Sequence, residues 1–353
     1  MTVRRAIAAA AIAACLTLSC ASAQEAGQKP RLTLMSSFEP ERLAPLMAQM
    51  QTEAGMEIKL ESADDDLILG RLAGGTPIDL VLMANYARLE LAAAAGLLAK
   101  ITPPGAERLP AVLRETEGRW APIATVARPI LYAQGKVKQT EVTSYGDLAA
   151  PAWRGRLCAP QPNQAGLLLL LASMTHRRGP EAAQHWAAGV HANAVTPKLT
   201  PPANPEAVGV LSEDIRLVEA LASGACDVAI VSSRAIARLG DRPRDADRAM
   251  LEKVGVIWPK ADQGGASIGI IGAALPASGQ RAEAATKLVG WLLSDTGQRL
   301  FAEAVYAYPA RPGVPLSNPL TRWGPFEADR TPLTEISTQI DAAREISDKV
   351  GWP

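Results

Sequence analysis

Four consecutive residues, Ser232-Ser233-Arg234-Ala235, are the part of this sequence best suited to hold a ligand. They follow the apolar run Val228-Ala229-Ile230-Val231, so Arg234 is expected at the carboxyl end of a buried strand, the place where α/β sheets gather ligands. A guanidinium holds a carboxylate, phosphate or phosphonate through two parallel hydrogen bonds, and it repels a trivalent cation. The hydroxyls of Ser232 and Ser233 add donors. No acidic residue lies within five positions of Arg234, and Asp227 is expected at the far end of the strand. A buried cation needs a counter-charge, and the natural one is then the ligand. The alternative is an exposed Arg that solvates a loop.

Other constellations point to less. The three histidines are His176, His185 and His191, and the six-residue spacing of the last two does not share a helix face. The acidic run Asp64-Asp65-Asp66 reads as a solvated loop or a helix N-cap before it reads as a cation site. There is no Gly-x-Ser-x-Gly, His-Glu-x-x-His or Walker loop, and no Gly-x-Gly-x-x-Gly after a strand. No catalytic residue and no cofactor is expected.

The chain has 353 residues with 36 basic and 36 acidic side chains, 48% hydrophobic residues and 4% aromatics. That length predicts about two domains, and the apolar content allows a full core. Balanced charge and few stacking platforms argue against nucleic-acid binding.

At the N-terminus, Arg4 and Arg5 precede an apolar stretch from Ala6 to Leu18 and the small-residue end Ala21-Ser22-Ala23. This pattern predicts a cleaved signal peptide over 1–23 and an exported protein. Lipid attachment at Cys20 is the alternative, although Thr17 stands where such sites carry Leu. Beyond the signal only Cys158 and Cys226 remain. In an oxidising compartment they are predicted to pair, against the alternative of two buried free thiols.

Hydrophobic periodicity then alternates between strand and helix. Strands are predicted at Arg31–Met35, Glu57–Glu61, Ile78–Met83, Leu157–Ala159, Cys226–Val231 and Val254–Trp258, with an extended segment over Trp120–Ala133. Helices are predicted over Glu41–Ala54, Asp66–Ala73, Ala87–Leu98, Ala165–Thr175, Glu181–Val190, Glu213–Ala222, Ala282–Leu293 and Thr334–Val350. The charged segment Gly240–Arg248 reads as an exposed loop, and Gly264–Gly272 as a Gly-rich stretch. The alternation implies an α/β fold whose sheets are mostly parallel.

Seven ordered segments resemble the type II solute-binding proteins of ABC importers, in particular the ferric-iron-binding periplasmic branch. They are Leu34-Met35-Ser36-Ser37, Ile78-Asp79-Leu80-Val81, Ala95-Gly96-Leu97-Leu98, Ser144-Tyr145-Gly146-Asp147-Leu148 with Pro151-Ala152-Trp153-Arg154-Gly155-Arg156-Leu157, Gly224-Ala225-Cys226-Asp227-Val228-Ala229, Trp291-Leu292-Leu293-Ser294 with Gln298, and Tyr308-Pro309-Ala310-Arg311-Pro312-Gly313-Val314.

The resemblance implies two α/β lobes, each a mixed, mostly parallel sheet flanked by helices, joined by two crossovers and closing over one small ligand. Lobe one would take 30–125 and 255–353, and lobe two 126–254. Ferric members of the family carry two adjacent tyrosines where this chain has Arg234 and Ala235, so both phenolates are missing. Their first-loop ligand falls near Glu39 and Pro40, and a further family tyrosine appears here as Asn163-Gln164. Arg128 matches a family arginine near the anion.

The implied ligand set is therefore Ser36, Ser37, Glu39, Arg128, Asn163, Gln164, Ser232, Ser233 and Arg234. It suits a small anionic solute or anion-chelated ferric iron, delivered from the periplasm by a monomer to an inner-membrane permease. The alternatives are ferric-iron transport through a non-tyrosine ligand set, or a sensing partner of a membrane kinase.

Overall fold

The computed structural model describes residues 31–161, 165–195, 210–316 and 318–352. The expected signal segment and the pair Asn163-Gln164 lie outside the described residues. Chain order begins β1 (Arg31–Ser36), α1 (Pro40–Ala54), β2 (Glu57–Ser62), α2 (Asp65–Ala73), β3 (Leu80–Met83), α3 (Tyr86–Ala94) and β4 (Leu98–Ala99). It continues with β5 (Ala121–Ala127), β6 (Ile130–Ala133), β7 (Leu157–Cys158), α4 (Ala165–Arg178), α5 (Pro180–Asn193), α6 (Val210–Ser223) and β8 (Val228–Ile230). Then come α7 (Ser233–Asp241), α8 (Asp245–Leu251), β9 (Val254–Ile257), β10 (Ile268–Pro276), α9 (Ala282–Leu292), α10 (Asp295–Val305) and β11 (Tyr308–Pro309). The C-terminal part holds α11 (Asn318–Thr321), α12 (Leu333–Ser337) and α13 (Ile340–Lys349).

Two sheets result. The larger runs in the order β11-β5-β10-β3-β1-β2, with β4 paired to β10, and the smaller runs β7-β8-β6-β9. Both are mixed. Among the named strands, parallel pairing is confined to β1–β2, β1–β3 and β7–β8, so the expectation of mostly parallel sheets is corrected. The reason is the crossing strands. β5 and the long β10 lie at the larger-sheet ends of the two crossings, after which the chain enters or has left the smaller sheet, and they pair antiparallel with each other.

The extended segment Trp120–Ala133 is one of these crossings. It breaks at Arg128-Pro129, so β5 joins the larger sheet and β6 the smaller. Pro129 has no N–H to give a ladder, which suits it to the gap between two sheets. The expected division also needs two changes. Val254–Ile257 pairs with β6 and stays in the smaller sheet, so the return crossing begins after it. The C-terminal helices, expected with the first lobe, pack elsewhere, α12 and α13 on α4 and α5 and α11 on α7. The cause lies in α4. Leu167 to Leu171 are all buried, so this stretch of the helix is apolar on every side and must be covered all round. Ile340, Ala343 and Ile346 of α13 form the stripe that covers it.

Local rules account for most elements. The helical period of α1 buries Leu43, Leu46, Met47 and Met50, and Gly55 ends it with φ +65°, a left-handed value that favours glycine. Asp64 caps α2 by accepting from the Leu67 N–H at 2.7 Å. The loop expected at Gly240–Arg248 contains α8 instead. Asp247 there is buried and held by Arg244 at 2.7 Å, which stabilises a turn that composition alone reads as solvent-exposed. Cys158 and Cys226 form a disulfide, with Cα atoms 5.8 Å apart. Both sit inside a small apolar cluster on one face of the smaller sheet.

Candidate functional site

The site forms where strands of both sheets end. β3 runs into Ala84-Asn85, whose carboxamide caps α3 by accepting from the Ala87 N–H at 3.0 Å. β8 runs into Ser232, which caps α7 by accepting from the Arg234 N–H at 3.2 Å. β5 ends at Ala127, and Arg128 follows it. These ends enclose a cavity of about 140 Å³ whose wall includes Asp65, Tyr86, Arg128, Asp214, Ser232 and Arg234.

Arg128 is built in from several sides. Its N–H donates to Ser267 O at 2.9 Å, and its carbonyl accepts from the buried Tyr145 hydroxyl. Its guanidinium fills the space beside Gly166, where a Cβ would lie 2.0 Å from Nε. Asp214 of α6 faces it, with Oδ1 3.8 Å from Arg128 Nη1. The other carboxylate oxygen, Oδ2, accepts from the Ser232 N–H at 2.9 Å. Burial pushes the Asp214 carboxyl up, against the opposing pull of Arg128 and the Ser232 amide.

Arg234 is also enclosed. Nε donates to Val305 O at 2.9 Å, and the guanidinium carbon lies 5.1 Å from the centre of the Phe38 ring. Burial pulls its pKa down to about 10, partly offset by Glu39, so it is still a cation at neutral pH. Asp65 is pushed up to about 6 by burial, although Ser37 and the amides of Ala84 and Asn85 bond to its carboxylate. The premise that Arg234 has no acidic neighbour holds along the chain and fails in space, because Asp65, Asp214 and Glu39 all act on it.

The remaining expected ligands sit elsewhere. Ser36 Oγ accepts from the Phe38 N–H at 3.3 Å, and Ser37 Oγ from the Ala84 N–H at 2.9 Å, so both brace the loop behind the cavity wall. Ser233 Oγ accepts from the Ala127 N–H at 3.2 Å and ties α7 to the crossing. Glu39 pairs with Arg238 at 2.9 Å, and that guanidinium outweighs burial to hold the carboxyl below its usual range. Arg234, Arg238 and Asp241 share one face of α7, which meets Val305, Glu39 and the Tyr306 hydroxyl of the other unit. Of the expected ligand set, the structure brings Arg128, Ser232 and Arg234 into the cavity wall. Asp65, Asp214 and Tyr86 line the same wall and are absent from that set.

A family model for bacterial extracellular solute-binding proteins matches residues 41–306. The chain belongs to that family. It is 28% identical over 330 residues to iron uptake protein A1 of Synechocystis sp., covering 92% of this chain and 88% of that one. It is 25% identical to the major ferric iron-binding protein of Neisseria meningitidis, over 82% of this chain and 84% of the relative. Among solved structures, Trichodesmium IdiA (FutA) in complex with iron and citrate ligands superposes with a TM-score of 0.83 at 27% identity, covering 92% of this chain and all of that one. A ferric binding protein from Campylobacter jejuni gives 0.81 at 25% identity, over 91% and 100%. These neighbours give the chain the two-lobed type II periplasmic binding-protein fold.

Two outcomes test the site as built. Gly166→Ala places a methyl group inside the space of the Arg128 guanidinium. Helix propensity favours Ala by about 1 kcal/mol, so the fold should survive while the guanidinium shifts. Solute affinity is expected to fall at least tenfold, measured by calorimetry; unchanged affinity would show that Arg128 has room to move.

Asp65 titrates from 3.8 unfolded to about 6 folded. A raised acid pKa means the folded state binds the proton more tightly, so stability falls as pH rises from about 4 to 6. Asp65→Asn should remove that slope and stabilise the ligand-free protein at pH 7 by on the order of 1–2 kcal/mol. Urea midpoints at pH 4.5 and 7 check it, and an unaltered slope would contradict it.

Proposed function

We propose that this protein is the extracytoplasmic receptor of an ABC importer that captures a small anionic solute, free or chelating ferric iron, and hands it to an inner-membrane permease. The observation that carries the reading is the pair of guanidiniums, Arg128 and Arg234, in the wall of one cavity at the strand ends. Arg128 is only 5% exposed, and its Nη1 has no hydrogen-bond partner among the described residues. A buried donor without a partner costs about 1–3 kcal/mol, so an oxygen of the solute is its expected acceptor.

The family supports the receptor role, and the names of the relatives support iron as part of the cargo. The chemistry of the wall favours chelated over bare iron. Tyr86 is the tyrosine in the wall, its hydroxyl donates to Leu333 O at 2.8 Å, and burial raises its pKa. It is held as a phenol, not as the phenolate that binds Fe³⁺ tightly. A second reading, ferric iron held by protein oxygens, rests on Asp65 and Asp214 sharing the cavity.

Export through the signal over 1–23, with cleavage after Ala23, belongs to the same proposal, as does the absence of catalysis. Calorimetry with citrate, ferric citrate and ferric nitrilotriacetate separates the readings. Binding of citrate and ferric citrate without a purple-red band supports the proposal. A purple-red charge-transfer band, or capture of iron away from its chelator, would favour protein-ligated iron and overturn it.

A further inference from the structure

Arg128 Nη1 and Asp214 Oδ1 are the two orphans of the cavity. They stand 3.8 Å apart, close enough to attract and too far to hydrogen bond. Neither atom has a hydrogen-bond partner among the described residues. The residues are 5% and 0% exposed, so bulk water does not satisfy them. Each is also fixed. Asp214 spends its other oxygen on the Ser232 N–H, which leaves Oδ1 facing Arg128 Nη1. The Arg128 main chain is pinned by Ser267 and Tyr145, and its guanidinium lies in the gap left by Gly166.

One wall thus presents a donor with no acceptor beside an acceptor with no donor. A fully deprotonated oxyanion satisfies the first and is repelled by the second. A group that accepts and donates at once satisfies both.

We infer that the Arg128–Asp214 pair selects an anion bearing a proton-carrying oxygen, either a monoprotonated phosphoryl group or a hydroxyl beside a carboxylate. This deepens the reading of the cavity as an anion site and rests on it. The chemistry is that of an O–H donating to Asp214 Oδ1 while the same oxygen, or its neighbour on the same centre, accepts from Arg128 Nη1. A site built to bond an O–H rejects the analogue without it, because its own buried groups are then left unpaired.

Two matched pairs of probes test the selection and distinguish its sources. Citrate and tricarballylate share three carboxylates and differ by the hydroxyl. Orthophosphate and sulfate share a tetrahedral shape, and at pH 7 only phosphate carries a proton. Calorimetry on the full mature protein should show the donor-bearing member of at least one pair binding ten or more times tighter. The citrate pair identifies a hydroxy acid, and the phosphate pair a phosphoryl group.

Asp214→Asn, which keeps an oxygen for the Ser232 N–H and adds an N–H₂, should reduce the preference to within about twofold. Equal binding within both pairs, a preference for the donor-free member, or full discrimination in the folded Asp214→Asn variant would overturn the inference and leave the anion site standing. If no member of either pair binds, the anion reading falls with it. The comparison in the unaltered protein decides the point even if the variant does not fold.

Discussion

Replacing Arg234 by Ala is expected to weaken solute binding by about 2–5 kcal/mol, roughly 30-fold to 4,000-fold, chiefly through faster dissociation. The guanidinium is anchored at one end only. Nε is committed to Val305 O at 2.9 Å and one face rests on Phe38, which leaves the two Nη groups for the cavity that Arg234 lines. The ligand-free fold should change little. The variant loses one hydrogen bond to a carbonyl and is relieved of a buried cation, and these terms oppose each other. Arg234→Lys keeps a charge without the planar fork and should fall between parent and Ala. Calorimetry with citrate and ferric citrate is the measurement. Unchanged affinity in the Ala variant would mean that Arg234 serves only as a strut between α7 and the end of α10.

What the sequence makes legible at this site is local. Ser232 and Arg234 follow a four-residue apolar run, and a strand end followed by a Ser cap can be recognised from one segment. The disulfide is legible for the same kind of reason, since export leaves two cysteines and an oxidising compartment joins them.

What stays hidden is the company each charge keeps. Asp214 lies eighteen positions before Ser232 and meets it through the packing of α6 beside β8. Asp65 stands in an acidic run whose first member is an ordinary cap, and nothing in the run tells that the second member is half-buried in a cavity wall. Glu39 is in the right loop, but Arg238, one turn beyond Arg234, takes it. That pairing needs the distance between two units of the fold, which periodicity does not contain. The same limit explains α13. Its apolar stripe is readable, and the surface it covers is not, because a run such as Leu167–Leu171 of α4, apolar on every side, does not say which neighbour will cover which side.

Removing the disulfide is expected to cost a large share of this protein's stability. The bond closes a loop with a sequence separation of 68 residues, and the chain-entropy model gives about 4 kcal/mol for that length. The local structure cannot readily replace it. β7 is only two residues long and meets β8 at Leu157–Val228 and Cys158–Ala229, so few ladder bonds hold it once the link is gone. Its apolar surroundings form a small cluster separate from the main core. The double variant Cys158→Ala/Cys226→Ala should therefore unfold at a clearly lower urea concentration.

The loss should fall on the smaller sheet first. Its β8 leads directly into Ser232 and Arg234, so local opening there disorders half of the cavity wall. Solute should consequently stabilise the double variant less than the parent, even at saturating concentration. Thiol titration of the denatured, unreduced parent should find no reactive cysteine. Two reactive thiols, or a double variant with the parent's urea midpoint, would show that the link contributes nothing to this fold.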